Sequence, residues 1–121
     1  MAGAVRKRFD DPDDVREIPN GVTAGVELAT SKVAKIALQP GWRWSESIKP
    51  IVQTTSCQMH HLGYALGGVL HVAPSEGDEI EITAGDAYEI LPGHDAWVTG
   101  AEAFEGLEFD AGTVEGYAKP S

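Results

Sequence analysis

The apolar and polar positions of this chain form a series of short strands separated by turns. Residues 22–28 and 33–38 are apolar-rich runs on either side of a small polar connection, a pattern typical of a β-hairpin. Residues 79–83 alternate glutamate with isoleucine, which predicts a strand with one buried face. Further strands are predicted within residues 57–72, 87–91, 94–98 and 104–109. About nine or ten short strands with almost no helix indicate an all-β sandwich or barrel.

Turn residues lie between these runs. The strongest turn signals are Pro40-Gly41, residues 74–77, residues 84–86 and Pro92-Gly93. Gly67-Gly68 predicts a bulge or a corner within the long central strand. Residues 13–17 follow a proline and predict at most one helical turn. We therefore divide the chain into an N-terminal extension (residues 1–20), a barrel (21–110) and a small, polar C-terminal tail (111–121).

Composition narrows the possible partners. The chain has 121 residues, enough for one domain with a modest core, and its formal net charge is -10. That charge repels nucleic acids and anionic membrane surfaces, so we expect neither as a partner. The basic cluster near the N-terminus has no apolar segment behind it, and the single cysteine cannot form an internal disulfide. We expect a cytoplasmic protein.

The candidate chemistry is concentrated in residues 57–72, which contain the only cysteine and three of the four histidines. On a strand, residues an even number apart face the same side, so Cys57 and His61 would point together and His60 the opposite way. One face would therefore present a thiol beside an imidazole. Taken singly, however, a core cysteine or histidine is more often structural than a ligand.

Two motifs resemble the cupin superfamily. The sequence Tyr64-Ala-Leu-Gly-Gly-Val-Leu-His-Val is similar to the family's Tyr-Val-Leu-x-Gly strand. Gly85-Asp86 followed by Pro92-Gly93 is similar to its Gly-Asp to Pro-x-Gly turn, and the surrounding residues are similar to a subgroup of small bacterial cupin-domain proteins. The resemblance covers roughly residues 33–110 and implies a jelly-roll barrel built from two antiparallel sheets.

The resemblance also implies where a metal would bind. Metal-binding cupins use a His-x-His pair and a Glu from the first motif and a His from the second. Here the pair falls on Thr55 and Cys57 and the Glu position on His61, while the second-motif position is Ala96, two residues after His94. The usual set is absent, and the remaining candidate ligands are Cys57, His61 and His94. One thiolate and two imidazoles suit a divalent transition metal such as zinc, with iron, nickel and manganese as alternatives.

Other side chains are candidates for supporting roles. Asp95 would orient a histidine through the second ring nitrogen, unless it is only a turn residue. Four aromatic residues would line a pocket for a planar organic ligand, although aromatic side chains also fill cores. These are Trp42, Trp44, Tyr64 and Trp97.

These features predict a small cupin that binds a divalent metal and a small organic ligand, as in a metal-dependent oxygenase, isomerase or lyase. The alternative is a metal-free binding or sensor module, and the sequence leaves open whether the protein is an enzyme. Folds of this size often cover an exposed sheet with a second copy, so we expect a homodimer. Residues 36–38 and the N-terminal segment are the predicted contacts.

Overall fold

The computed structural model describes residues 3–47, 49 and 60–109. Cys57, Thr55 and the C-terminal tail lie outside these ranges. The described strands are β1 (Asp14–Ile18), β2 (Gly21–Glu27), β3 (Lys32–Leu38), β4 (His61–Gly67), β5 (Val69–Pro74), β6 (Ile80–Thr83), β7 (Ala87–Ile90), β8 (His94–Thr99) and β9 (Phe104–Phe109). A short helix, α1 (Trp44–Ser47), follows β3 in the described part of the chain. No helix in the described ranges is long and apolar enough to cross a bilayer.

The strands form two antiparallel sheets, which confirms the predicted all-β jelly roll. The six-stranded sheet has the order β1-β2-β3-β9-β4-β7, and the three-stranded sheet has the order β6-β5-β8. The chain passes from one sheet to the other at Gly68, where the backbone adopts a φ of 75°. A Cβ at this position would lie 2.2 Å from the carbonyl oxygen of Ala103, so only glycine fits the corner.

The predicted hairpin is present, and a predicted helical turn is wrong. Strands β2 and β3 pair with Val26 opposite Val33. Residues 13–17, expected to make a turn of helix, instead contribute to β1, which pairs with β2 through Val15 opposite Ala24. An existing strand edge satisfies several backbone groups at once, whereas an isolated helical turn satisfies few. Strand β1 therefore extends the sheet with residues that we assigned to the N-terminal extension.

The side chains of β4 alternate between the core and the solvent. The apolar residues Leu62, Tyr64 and Leu66 face outward and are 42–47% exposed, whereas His61 and Ala65 face the core. Strand β3 does not present Ile36 and Leu38 to a second copy, because both side chains are buried between the sheets. The prediction that residues 36–38 contact a second copy is therefore wrong.

Candidate functional site

Two histidines meet inside the barrel. His61 is the first residue of β4 and His94 is the first residue of β8, so they come from different sheets. Both are at least 95% buried, and their ring centroids lie 5.1 Å apart at an angle of 69°. The structure thus brings together the two imidazoles that the sequence proposed as ligands.

A buried carboxylate holds the His61 ring. Glu108 on β9 is 2% exposed, and its Oε1 lies 2.7 Å from His61 Nδ1. The Tyr88 hydroxyl donates a hydrogen bond of 2.7 Å to the other carboxylate oxygen, Oε2. Both oxygens therefore have a partner, as a carboxylate removed from water requires. The resulting His61–Glu108–Tyr88 network links three strands of the large sheet.

Sequence reasoning missed Glu108 and Tyr88. The sequence offered one signal, because residues an even number apart on a strand share a face. Glu108 lies four residues after the buried Phe104, and Tyr88 lies two residues before Ile90. That signal is ambiguous on β9, where Leu107 is also apolar but faces the other side. Only the burial of Phe104 and Glu108 decides which face is inside.

The backbone holds the His94 ring. Its Nδ1 lies 2.8 Å from the carbonyl oxygen of Leu91, at the other end of the Pro92-Gly93 turn. A carbonyl oxygen only accepts, so Nδ1 carries the hydrogen and a neutral ring has its lone pair on Nε2. The turn requires the positive φ of Gly93, which is 93°. The turn motif thus fixes both the tautomer and the direction of this imidazole.

The histidines line a small cavity of about 30 Å³. Trp42, Trp44 and Glu108 also line it, together with apolar side chains from β3, β5, β7 and β8. This volume holds roughly one or two water molecules, one metal ion or a carboxylate group, but no larger organic molecule. Two of the four aromatic residues predicted to line a pocket, Trp42 and Trp44, therefore lie at this cavity.

The other two predicted pocket residues lie elsewhere. Tyr64 is on the outward face of β4. Trp97 lies on the outer face of β8, stacked on His71 at 4.5 Å with the Arg43 guanidinium 4.1 Å from its ring centroid. Because residues on each strand alternate between faces, neither ring shares the side of the sheet that bears His61 or His94.

Asp95 positions a loop rather than a histidine. Its Oδ1 accepts hydrogen bonds from the backbone N–H groups of Ser45, at 3.1 Å, and Ala96, at 2.9 Å, and Arg43 Nε lies 3.6 Å from Oδ2. Among the described residues, the orienting role expected of Asp95 is taken by Glu108 and by the Leu91 carbonyl. Asp95 instead attaches the start of α1 to β8.

The remaining histidines are outside the cavity. His60 is exposed and its Nε2 lies 2.8 Å from Glu89 Oε2. His71 is bonded to Glu79 and packs beneath Trp97. The exposure of His60 beside the buried His61 agrees with the opposite directions predicted for these two side chains.

The comparisons with known proteins concern the fold. No protein-family model and no curated protein matches this chain. Solved structures do match. An oxalate decarboxylase from Lactobacillus farciminis, in a formate complex, has a TM-score of 0.62 and 20% identity over 90% of this chain and 33% of its own. The polyketide cyclase RemF from Streptomyces resistomycificus has a TM-score of 0.61 and 18% identity, over 89% of this chain and 79% of its own. KdgF from Halomonas sp. has a TM-score of 0.59 and 12% identity, over 89% of this chain and 92% of its own.

This chain has the cupin fold. Its two antiparallel sheets agree with the jelly roll that the cupin-like motifs of the sequence predicted. The chain spans about one third of the length of the decarboxylase. At these identities the likeness extends to the fold alone.

The side chains of His61 and His94 have the chemistry of transition-metal ligands. Imidazole nitrogens suit zinc, iron and nickel, and ligating histidines are usually held by a carboxylate or a carbonyl through the other ring nitrogen, as His61 and His94 are. Within residues 3–47, 49 and 60–109, no group of three or more His, Cys, Asp and Glu side chains is arranged to hold an ion. The described residues thus bring two imidazoles together and add no third side chain arranged to bind the same ion.

A larger cleft lies beside the ends of β5 and β7. Its volume is about 460 Å³, within the range of small-molecule pockets. The turn after β5 and the turn after β7 form its walls, with the carboxylates of Glu76, Asp78 and Glu89 and the apolar Leu91. Ile90 lines both this cleft and the small cavity.

Proposed function

We propose that this cupin holds a divalent transition metal through His61 and His94 and binds a small organic molecule beside it. The observation that carries the proposal is the way in which the two buried imidazoles are held. Each has its Nδ1 hydrogen-bonded, one to a carboxylate and one to a carbonyl, as the histidines of metal sites usually do. Nε2 would then be the ligating atom of each ring.

Cys57 is the proposed third ligand. It lies four residues before His61, which gives it the same parity if that segment is extended. A thiolate with two imidazoles favours zinc, with iron, nickel and manganese as alternatives. Such an ion, when bound, polarises a carbonyl or carboxylate oxygen as a Lewis acid. Glu108 would make His61 a better donor by holding its Nδ1–H.

The organic molecule is proposed to enter from the 460 Å³ cleft, whose size suits a small ligand. Two similar structures carry names that support such a role, an oxalate decarboxylase and a polyketide cyclase. A metal-dependent oxygenase, isomerase or lyase is the class of enzyme that this arrangement would support. We also propose a cytoplasmic location, based on the single cysteine and the acidic composition.

Metal analysis of protein purified without an affinity tag tests this function. We expect about one ion per chain in the wild type and a large loss in His61→Ala and His94→Ala. His60→Ala and His71→Ala are matched controls, because they remove the same side chain from outside the cavity. Circular dichroism confirms that each variant folds. Equal metal content in all five proteins would overturn the proposed metal site.

The second candidate function is a metal-free binding or sensor module. It is favoured by the absence of a three-donor group in the described residues and by the pairing of both Glu108 oxygens with protein groups. In this case chelator-treated protein binds its small-molecule ligand as tightly as untreated protein. Metal-dependent binding would exclude the second candidate.

A homodimer remains part of the proposal, with a different contact from the one predicted. Leu62, Tyr64 and Leu66 form a row of exposed apolar side chains on the outer face of β4, and Phe109 extends the row on β9. We propose that this row, here called the β4 outer face, packs against a second copy of the chain.

A further inference from the structure

The direction of the Glu108 carboxylate depends on two hydrogen bonds. The last torsion of a glutamate side chain is broad, so a bond to one oxygen does not fix the plane of the carboxylate. Here each oxygen has its own partner: Oε1 lies 2.7 Å from His61 Nδ1, and Oε2 accepts from the Tyr88 hydroxyl at 2.7 Å. The bond from Tyr88 therefore helps to fix the oxygen that contacts His61.

The sheet leaves room for the Tyr88 hydroxyl at two glycines. A Cβ at Gly63 on β4 would lie 2.7 Å from the Tyr88 hydroxyl oxygen, and one at Gly106 on β9 would lie 3.0 Å from it. A side chain at either position would displace the hydroxyl. The buried Phe104 packs edge-on against the phenol, with ring centroids 6.4 Å apart. Two missing side chains and one aromatic contact thus place the phenol oxygen at Glu108.

The contact with Glu108 determines which nitrogen of His61 carries the hydrogen. A carboxylate only accepts, so Nδ1 is the donor and a neutral ring has its lone pair on Nε2. In metal sites such an outer hydrogen bond sets the tautomer and the orientation of the ligating imidazole together. Tyr88 does not line the small cavity, so it would act on His61 through Glu108 and not by touching a bound ligand.

We propose that Tyr88 is a positioning residue whose hydroxyl, through Glu108, holds the His61 ring in the orientation and tautomer that leave Nε2 as the ligating atom. The inference rests on the proposed function, because that function supplies the metal ion that Nε2 would bind. The competing explanation is structural, with the Tyr88 hydroxyl only satisfying a buried carboxylate. A structural role changes the stability of the protein but neither the state of the His61 ring nor the affinity for zinc.

Zinc affinity of the full chain gives the first test. Tyr88→Phe removes only a hydroxyl, and Tyr64→Phe removes the same group from the outward face of β4. Ile82→Val is the control for a loss of stability alone, because Ile82 is buried in the core but does not line the small cavity. By competition with a chromophoric chelator, we expect affinity to fall about tenfold in Tyr88→Phe and to stay unchanged in both controls.

A double variant tests whether Tyr88 acts through Glu108. Glu108→Leu replaces the carboxylate with an apolar group of similar size. We expect Tyr88→Phe to lower zinc affinity in the wild type and to have no further effect in Glu108→Leu, because the connecting group is already gone. An equal loss in both backgrounds would overturn the inference.

Metal-free protein gives a readout that does not depend on zinc. In protein labelled with ¹⁵N-histidine, His61→Ala assigns the His61 ring signals by nuclear magnetic resonance. We expect hydrogen on Nδ1 and none on Nε2 in the wild type and in Tyr64→Phe. Tyr88→Phe should show a mixture of the two neutral tautomers, because the acceptor for the Nδ1 hydrogen is no longer fixed.

The outcomes separate this inference from the proposed function. A tautomer mixture confined to Tyr88→Phe, in protein that binds no zinc, supports the inference and overturns the metal site. Zinc affinity and tautomer that are the same in Tyr88→Phe and Tyr64→Phe overturn the inference alone. An equal loss of affinity in Ile82→Val also overturns it, since the effect is then one of stability.

A second variant decides the question if Tyr88→Phe does not fold. In Gly106→Ala the new Cβ keeps the Tyr88 hydroxyl but forces it to shift by a few tenths of an ångström. We expect a smaller loss of zinc affinity in the same direction, with Gly67→Ala, whose Cβ meets no atom within 4 Å, as the control. Equal zinc affinity and equal His61 ring signals in these two variants would overturn the inference.

Discussion

The phenol ring of Tyr88 occupies the space directly above Gly63. A Cβ at Gly63 would lie 2.6 Å from Tyr88 Cζ and 2.4 Å from the Leu107 carbonyl oxygen. In the sheet, Gly63 lies between Tyr88 on β7 and Glu108 on β9. The missing side chain on β4 is thus what allows the Tyr88 hydroxyl to reach the Glu108 carboxylate two strands away.

Gly63→Ala should destabilise the protein. The new methyl group meets backbone on one side and a buried ring on the other, so the strands must separate or Tyr88 must move. We expect a loss of about 1–3 kcal/mol in the free energy of unfolding, measured by urea denaturation. Gly67→Ala, on the same strand with no atom within 4 Å of its Cβ, is the matched control and should change stability little. Equal effects of the two variants would contradict the crowding at Gly63.

The network of Tyr88 and Glu108 should show energetic coupling. Tyr88→Phe removes one donor, and Glu108→Gln replaces a buried carboxylate that contacts both Tyr88 and His61. In a double-mutant cycle we expect an interaction energy of about 0.5–3 kcal/mol, because the residues share one buried group. The exposed pair of His60 and Glu89 is the control, and its coupling should stay below about 1 kcal/mol. A coupling near zero for Tyr88 and Glu108 would contradict the hydrogen bond.

Much of the fold follows from local sequence. The hairpin of β2 and β3, the strand β6 and the turn at Pro92-Gly93 depend on residues a few positions apart, and each is present. The predicted buried face of β6 is only half right, because Ile82 is buried but Ile80 is 46% exposed. The exception is β1, where local sequence favoured a helical turn and the edge of β2 provided better partners. The pairing could not be predicted from residues 13–17 alone, because the strand edge belongs to residues further along the chain.

The candidate site was predictable in part. His61 and His94 were found because they lie near the metal positions implied by the cupin resemblance, and the structure brings them together. Glu108 was missed because Leu107 and Phe109 make the opposite face of β9 look equally apolar. Tyr64 was placed in the pocket because it is aromatic, although its side chain lies on the outward face of β4. Which face of a strand is inside depends on the strands across the core.

Asp13 should make stability depend on acid pH. Its Oδ2 accepts a hydrogen bond of 2.7 Å from the Glu27 N–H and lies 2.9 Å from Lys7 Nζ. The bond from Glu27, followed by that from Lys7, lowers the pKa of Asp13 below its ordinary value of 3.8. The folded state therefore binds this proton less readily than the unfolded state. The stabilisation is present above pH 3.8 and is lost as the pH falls through the lower folded value.

Comparing Asp13→Asn with the wild type by urea denaturation across this pH range measures the effect. The difference in stability between them should be constant above about pH 5 and should shrink in more acidic solution. Asp11→Asn is the control, because the Asp11 carboxylate makes no hydrogen bond within the described residues. A difference that does not vary with pH would contradict the role assigned to the Asp13 charge.

The β4 outer face should govern assembly. Leu62, Tyr64 and Leu66 are each more than 40% exposed, and burying such a row stabilises a dimer. We expect the mass of a dimer by light scattering at micromolar concentration, and the mass of a monomer for Leu62→Lys/Leu66→Lys. Leu91→Lys is the control, since Leu91 is 66% exposed but lies in the turn between β7 and β8. A monomeric wild type would refute the proposal.

Cys57→Ser should separate a three-ligand site from a two-histidine site. If Cys57 is the third ligand, serine replaces a soft thiolate with a neutral hydroxyl, and zinc affinity should fall on the order of tenfold or more. Competition with a chromophoric chelator measures that affinity. His94→Ala removes one of the two proposed nitrogen ligands and is the reference for the loss of a ligand. If Cys57→Ser binds zinc as the wild type does and His94→Ala does not, then the thiol is not a ligand and the third donor is another group. Cobalt substitution gives an independent measurement, because cobalt-to-thiolate charge-transfer absorption should appear in the wild type and disappear in Cys57→Ser.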